Sequence, residues 1–124
     1  MLLSIVVPVY NEEDNIKKFY SSVKDVLATL PYEHEIIFVD DGSSDNSAVM
    51  LHHIAEEDAS VRVYLLARNF GHQLALTCGL DHAKGDAIIT MDGDMQHPPA
   101  LIPELVRHWE EGYDVVRTIR DSTE

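Results

Sequence analysis

A repeated change of hydrophobic period constrains this chain most. Short apolar runs, of the kind buried on both faces of a sheet, alternate with apolar stripes at helical spacing from one end of the sequence to the other. The runs at residues 3–9, 35–39, 61–67, 87–91 and 113–119 read as strands. Between them, a first helix is expected from Glu12, with Glu12, Glu13 and Asp14 in its first turn, Ile16, Phe19, Val23 and Leu27 in its inner stripe, and Pro31 as its stop. A second helix begins near Ser44 or Asp45 and is expected to bury Ala48, Leu51, His52 and Ile54. The third covers residues 73–83, with Leu74 and Cys78 on its apolar side. Pro98 and Pro99 open a fourth, whose inner face is Ile102, Val106 and Trp109. Such alternation predicts an α/β fold: a mostly parallel sheet with right-handed crossovers and helices on both faces.

Composition narrows the classes of partner. The 124 residues are 45% hydrophobic and 25% charged, which excludes a disordered chain and suits one domain with a real core. Nine Lys+Arg stand against 22 Asp+Glu, a formal net charge of −13. A surface this acidic is not expected to hold nucleic acid or to be drawn to an anionic membrane. A phosphate-bearing ligand would need a counter-charge, for which a divalent cation is the natural source. One cysteine, Cys78, allows no internal disulfide. The apolar stretch at residues 1–10 is interrupted by Ser4 and Pro8 and has no basic flank, so it reads as a strand rather than a membrane span or signal peptide.

Ligands of open parallel sheets bind beyond the carboxyl ends of the strands, near the point where strand order reverses. Those ends are polar here: Tyr10, Asn11 and Glu12 after the first strand, Asp40 and Asp41 after the second, Arg68 and Asn69 after the third, Asp92 and Asp94 after the fourth. The first turn has neither a glycine fingerprint nor a Lys-Ser/Thr pair, so it is no dinucleotide or P-loop phosphate cradle. The fourth strand instead presents carboxylates two residues apart, with Gly93 between them free to adopt positive φ and Gln96 just beyond. These hard oxygen donors suit Mg²⁺ or Mn²⁺. A solvated turn or helix cap is the plainer reading of either acidic pair taken alone. The histidines have no zinc spacing and read as surface or helix residues.

Taken together, Pro8-Val-Tyr-Asn-Glu12, Val39-Asp-Asp-Gly-Ser43, Arg68-Asn-Phe-Gly71, Asp92-Gly-Asp-Met-Gln-His-Pro-Pro99 and Gly112-Tyr-Asp-Val-Val116 resemble the family 2 glycosyltransferases. The Asp-x-Asp-x-Gln-x-Pro-Pro form and the Arg-Asn-Phe-Gly loop are similar to the polyprenyl-phosphate, dolichol-phosphate mannosyltransferase-like branch. The resemblance implies a GT-A nucleotide-diphospho-sugar transferase fold, of which this chain would be the donor-binding half. It further implies inverting transfer of a sugar from a nucleoside diphosphate to a lipid phosphate. Pro8, Tyr10, Glu12, Val39, Asp41, Met91, Asp92 and Gly93 would bind the nucleotide sugar. Asp92, Asp94 and Gln96 would hold Mg²⁺ or Mn²⁺, and Asp94 and Arg120 would be catalytic.

A non-catalytic sugar-nucleotide-binding or regulatory module is the alternative. As a rim carboxylate, Asp41 is expected to matter for nucleotide binding and little for stability. The chain stops just past the fifth strand, so it is expected to lack the acceptor half, to transfer no sugar alone and to self-associate through that strand's edge. The expected location is cytoplasmic, at the cytoplasmic face of a membrane if apolar spans follow.

Overall fold

The computed structural model describes residues 2–93 and 99–111. Strands β1 (Leu2–Val9), β2 (Glu33–Asp40), β3 (Val61–Leu65) and β4 (Ala87–Thr90) form one sheet in the order β3-β2-β1-β4. Every pairing is parallel. Helices α1 (Ile16–Leu27), α2 (Ser47–Glu57), α3 (His72–His82) and α4 (Ile102–Glu110) connect and follow the strands, and a short 3₁₀ turn at Pro99–Leu101 leads into α4. The expected α/β sheet is therefore present. The proposed fifth strand at residues 113–119, with the edge through which association was expected, lies outside the described residues.

Side-chain alternation along the strands makes two unequal cores. Leu3, Ile5, Val7 and Val9 of β1 join Ile36 and Phe38 of β2 against Phe19, Leu51, Ile102 and Val106, so α1, α2 and α4 share one face. Val6, Ile37 and Val39 point the other way and meet Ala75 of α3. Phe19 and Phe38 pack edge to face with centroids 6.4 Å apart, and truncating Phe19 to Ala would cost about 3–5 kcal/mol.

Two helix starts and two helix faces differ from expectation. Helix α1 begins at Ile16, not Glu12, and the N–H groups of Glu12 and Glu13 donate to Ser47 Oγ and Asp45 Oδ2 of the neighbouring loop. Helix α2 begins at Ser47 rather than Ser44 or Asp45, since Asp45 Oδ1 accepts the Ser47 N–H in a turn. His52 is exposed instead of buried, and Leu74 of α3 is 53% exposed. The sheet-facing residues of α3 are Ala75 and Gly79, a small-residue face that a search for bulky apolar side chains passes over. Cys78 does pack against the second core.

Polar clusters close the end of the sheet opposite the strand carboxyl termini. On one face, Asp58 accepts from Tyr20 Oη at 2.6 Å and from the Ser60 hydroxyl at 2.7 Å, and pairs with Lys24 Nζ at 3.0 Å. Burial opposes the Asp58 charge, but these donors outweigh it and hold the carboxyl well below its ordinary range; burial and the Asp58 bond push Tyr20 up to about 12. His34 Nε2 lies 3.0 Å from Lys24 Nζ, and burial with that ammonium lowers its pKa. On the other face, the nearly buried Glu35 accepts from Ser4 Oγ at 2.6 Å, Arg62 Nη2 at 2.5 Å and the Lys84 N–H at 2.7 Å, tying the end of α3 to the sheet.

Both His34 and Asp58 are depressed on folding, so each contributes stability above its unfolded pKa and loses it as pH falls. Thermal melts should therefore show two acid-side losses, the first below about pH 6.5 from His34 and the second below about pH 4 from Asp58 together with Glu35 and Asp45, whose carboxyls are also lowered. His34→Gln should remove the first and leave the second, as circular dichroism melts from pH 8 to 3 would record.

Candidate nucleotide-sugar site

The register brings the strand ends level. Val9 pairs with Asp40, Asp40 with Leu65, and Val6 with Thr90, so β1, β2 and β3 release their chains along one rim, with β4 beside them. Strand order reverses between β1 and β4, because β2 and β3 lie on the other side of β1. A cavity of about 350 Å³ opens over this rim, lined by Pro8, Val9, Tyr10, Glu12, Asp41, Asn69, Gly71, His72, Ala75, Asp92 and Gly93.

Its walls are set by bonds between loops. Asn11, at φ 51, donates its N–H to Ser43 Oγ and accepts the Ser44 N–H on Oδ1 at 2.8 Å, locking the β1 and β2 exits together. Glu12 accepts from Asn15 Nδ2, which fixes its side chain beside the cavity. The third loop is held more firmly still. Asp41 Oδ1 accepts the Phe70 N–H at 2.8 Å, and Oδ2 accepts the Gly71 N–H at 3.0 Å and Asn69 Nδ2 at 3.1 Å. Gly42, at φ 72, lets the two loops close: a Cβ there would lie 2.2 Å from the Arg68 carbonyl carbon.

Of the residues expected to bind the nucleotide sugar, Pro8, Tyr10, Glu12, Asp41, Asp92 and Gly93 meet in this cavity. Val39 and Met91 do not line it. Both point into the sheet's cores, Val39 toward α3 and Met91 into the larger core, because strand alternation aims them there. Tyr10 is 47% exposed at the rim, an aromatic face open to a planar ligand. Gly93 does not use its freedom to take a positive φ; a Cβ there would meet Val7 and Val9 at ordinary contact distances. Asp94, Gln96 and Arg120 lie outside the described residues.

Asp41 also departs from expectation. It is 3% exposed, and its carboxylate already serves three donors of the Asn69–Gly71 loop. A carboxylate offers about four lone-pair sites, so one acceptor position is left for a ligand, but the loop is the main claimant. Asn69, named only among the polar strand ends, lines the cavity, and so does His72, which was read as a surface or helix residue. His72 Nε2 lies 3.0 Å from Asp92 Oδ1, so this histidine faces the cavity and is no ordinary surface group.

The lining carries the carboxylates of Glu12, Asp41 and Asp92, and no Lys or Arg among the described residues. Those carboxylates are spread around the cavity: among the described residues no three His, Cys, Asp or Glu side chains gather tightly enough to hold a metal. Asp92 alone of the expected metal set is described, and its side chain, 18% exposed in the cavity, has the hard oxygen chemistry that Mg²⁺ or Mn²⁺ favours. Among the described residues, no helix is long and apolar enough to cross a membrane.

Comparison with known proteins bears on the family and the fold. The sequence model of glycosyl transferase family 2 matches residues 4–124. The chain is 47% identical over 121 residues to the undecaprenyl-phosphate 4-deoxy-4-formamido-L-arabinose transferase of Klebsiella pneumoniae, covering 97% of this chain and 37% of that protein. It is 45% identical over 116 residues to the bactoprenol glucosyl transferase of Shigella phage SfV, covering 94% of this chain and 38% of the relative. The chain thus spans under two fifths of the length of these relatives. The crystal structure of glucosyl-3-phosphoglycerate synthase from Mycobacterium tuberculosis in complex with UDP superposes with a TM-score of 0.68 at 25% identity, over 90% of this chain and 40% of that one. The fold is accordingly that of the GT-A nucleotide-sugar transferases.

Asp41→Ala should destabilise the chain by about 2–3 kcal/mol, since it strands the N–H groups of Phe70 and Gly71 as well as the Asn69 amide. Urea unfolding measures this directly. A loss below about 0.5 kcal/mol would return Asp41 to the role of a simple rim carboxylate.

Proposed function

The chain belongs to glycosyl transferase family 2, and from that premise we propose that it is the donor-binding part of an enzyme that transfers a sugar from a nucleoside diphosphate to a polyprenyl phosphate, with inversion at the anomeric carbon. The observation that carries this reading is the convergence of Pro8, Tyr10, Glu12, Asp41 and Asp92 on one cavity at the reversal of strand order. The lipid-phosphate acceptor is inferred from the names of the relatives, whose length extends well beyond this chain. Such an acceptor would place the whole protein at the cytoplasmic face of a membrane.

Tyr10 offers a stacking face for the base, with Pro8 and Glu12 beside it along the base and ribose. Asp41 contributes its remaining acceptor position and, through the Phe70 and Gly71 N–H groups, the shape of the wall. Asp92, with Asp94 and Gln96, would hold Mg²⁺ or Mn²⁺ against the donor diphosphate. A bound divalent cation would neutralise charge on the departing nucleoside diphosphate, which a lining this acidic cannot do by itself. Arg120 is assigned to the same phosphate charge, and Asp94 to the reacting end of the donor. The acceptor oxygen is already anionic, so its attack needs little help from a general base. The bond from the anomeric carbon to the acceptor phosphate forms as the bond to the donor diphosphate breaks, and the electron pair leaves with the nucleotide.

Calorimetric titration with UDP, GDP and their sugars, with and without Mn²⁺, tests the reading. One nucleotide should bind only with the metal, and Asp94→Asn should weaken it at least roughly tenfold. Equal affinity in EDTA would remove the metal from the proposal. No binding of either nucleotide would remove the donor site.

A further inference from the structure

The contact between His72 and Asp92 joins parts of the chain that the sheet keeps apart. His72 is the first residue of α3 and follows Gly71, whose N–H is held by Asp41 at the end of β2. Asp92 follows β4, and β1 runs between β2 and β4. The imidazole thus reaches across the carboxyl end of β1, over the crevice where strand order reverses. There its Nε2 meets Asp92 Oδ1 at 3.0 Å. An ionised carboxylate only accepts hydrogen bonds, so the ring donates from Nε2.

Torsion about the bond to a carboxyl group is soft, so each contact bears on the direction of a carboxylate at a loop mouth, and the His72 ring is one contact of Asp92. Both side chains line the cavity, with His72 60% exposed and Asp92 18% exposed. The exposure of His72 matters, because a ring so open adds little to the core and its retention in this pose needs another explanation. Asp41 supplies the frame: by fixing Gly71 it sets where α3 starts and so where the ring stands. From these contacts we infer that His72 is a positioning residue, which fixes the Asp92 carboxylate toward the bound donor and so sets the affinity of the cavity for a metal-nucleoside diphosphate. The inference rests on the donor-site reading above.

Titrating the full chain with Mn²⁺ and UDP, and separately with Mn²⁺ and GDP, should show His72→Ala weakening the nucleotide that binds by roughly tenfold. His72→Gln, which keeps an N–H donor at similar reach, should restore affinity to within about threefold. The melting temperature of both variants should match the parent, as expected for a largely exposed side chain. In the nucleotide-free chain, long-range nitrogen–proton spectra should show His72 protonated at Nε2, with that resonance moving in Asp92→Ala. Parent chain that binds neither probe would overturn the donor-site reading and the inference with it. If the parent binds, equal affinity in His72→Ala, no rescue by His72→Gln, or an imidazole resonance unmoved by Asp92→Ala would each overturn the inference alone.

Discussion

One carboxylate organises the functional end of this fold. Asp41 sits where β2 leaves the sheet, nearly buried, and accepts hydrogen bonds from consecutive N–H groups of the loop that precedes α3. Buried donors left unpaired are costly, so loop and carboxylate fix each other. Gly42 makes the approach possible, because any Cβ there would collide with the Arg68 backbone. The wall of the cavity and the start of α3 both follow from this contact.

The sheet itself was legible from the sequence because parallel strands covered on both sides need apolar runs, which are clearest in β1 and the second half of β2. Strand ends were legible for the same reason: polar residues stop where burial stops. Helix starts were less so. Glu12 to Asp14 carry the acids of a helical first turn, yet the N–H groups of Glu12 and Glu13 are held by Ser47 and Asp45 from a loop over thirty residues away. No local pattern encodes that competition. The inner face of α3 was hidden for a different reason, since Ala75 and Gly79 pack by being small rather than by being hydrophobic.

At the cavity, residue types placed some side chains better than others. Side chains at strand exits, such as Tyr10 and Asp92, could be placed because their strands were placed. Val39 and Met91 were assigned by motif, but strand alternation sends both side chains into the cores. Asp41 both lines the cavity and anchors the loop before α3, and a sequence motif records only the acid. His72 was overlooked because a lone histidine in a helical segment has no spacing that marks it; its meaning arises only when α3 and β4 are brought together.

The close seating of α3 carries a consequence for the cavity's width. A methyl group added at Gly79 would stand 2.4 Å from Val6 Cγ1 and 3.3 Å from Val39 Cγ2, so the helix rests on the sheet at the least separation its backbone allows. His72 belongs to the same rigid rod, and its reach to the far wall is measured from that resting height. Gly79 therefore acts as a shim of zero thickness. Any side chain placed there would lift the rod and tilt its leading end, altering the span between opposite walls of the cavity from a position that touches neither.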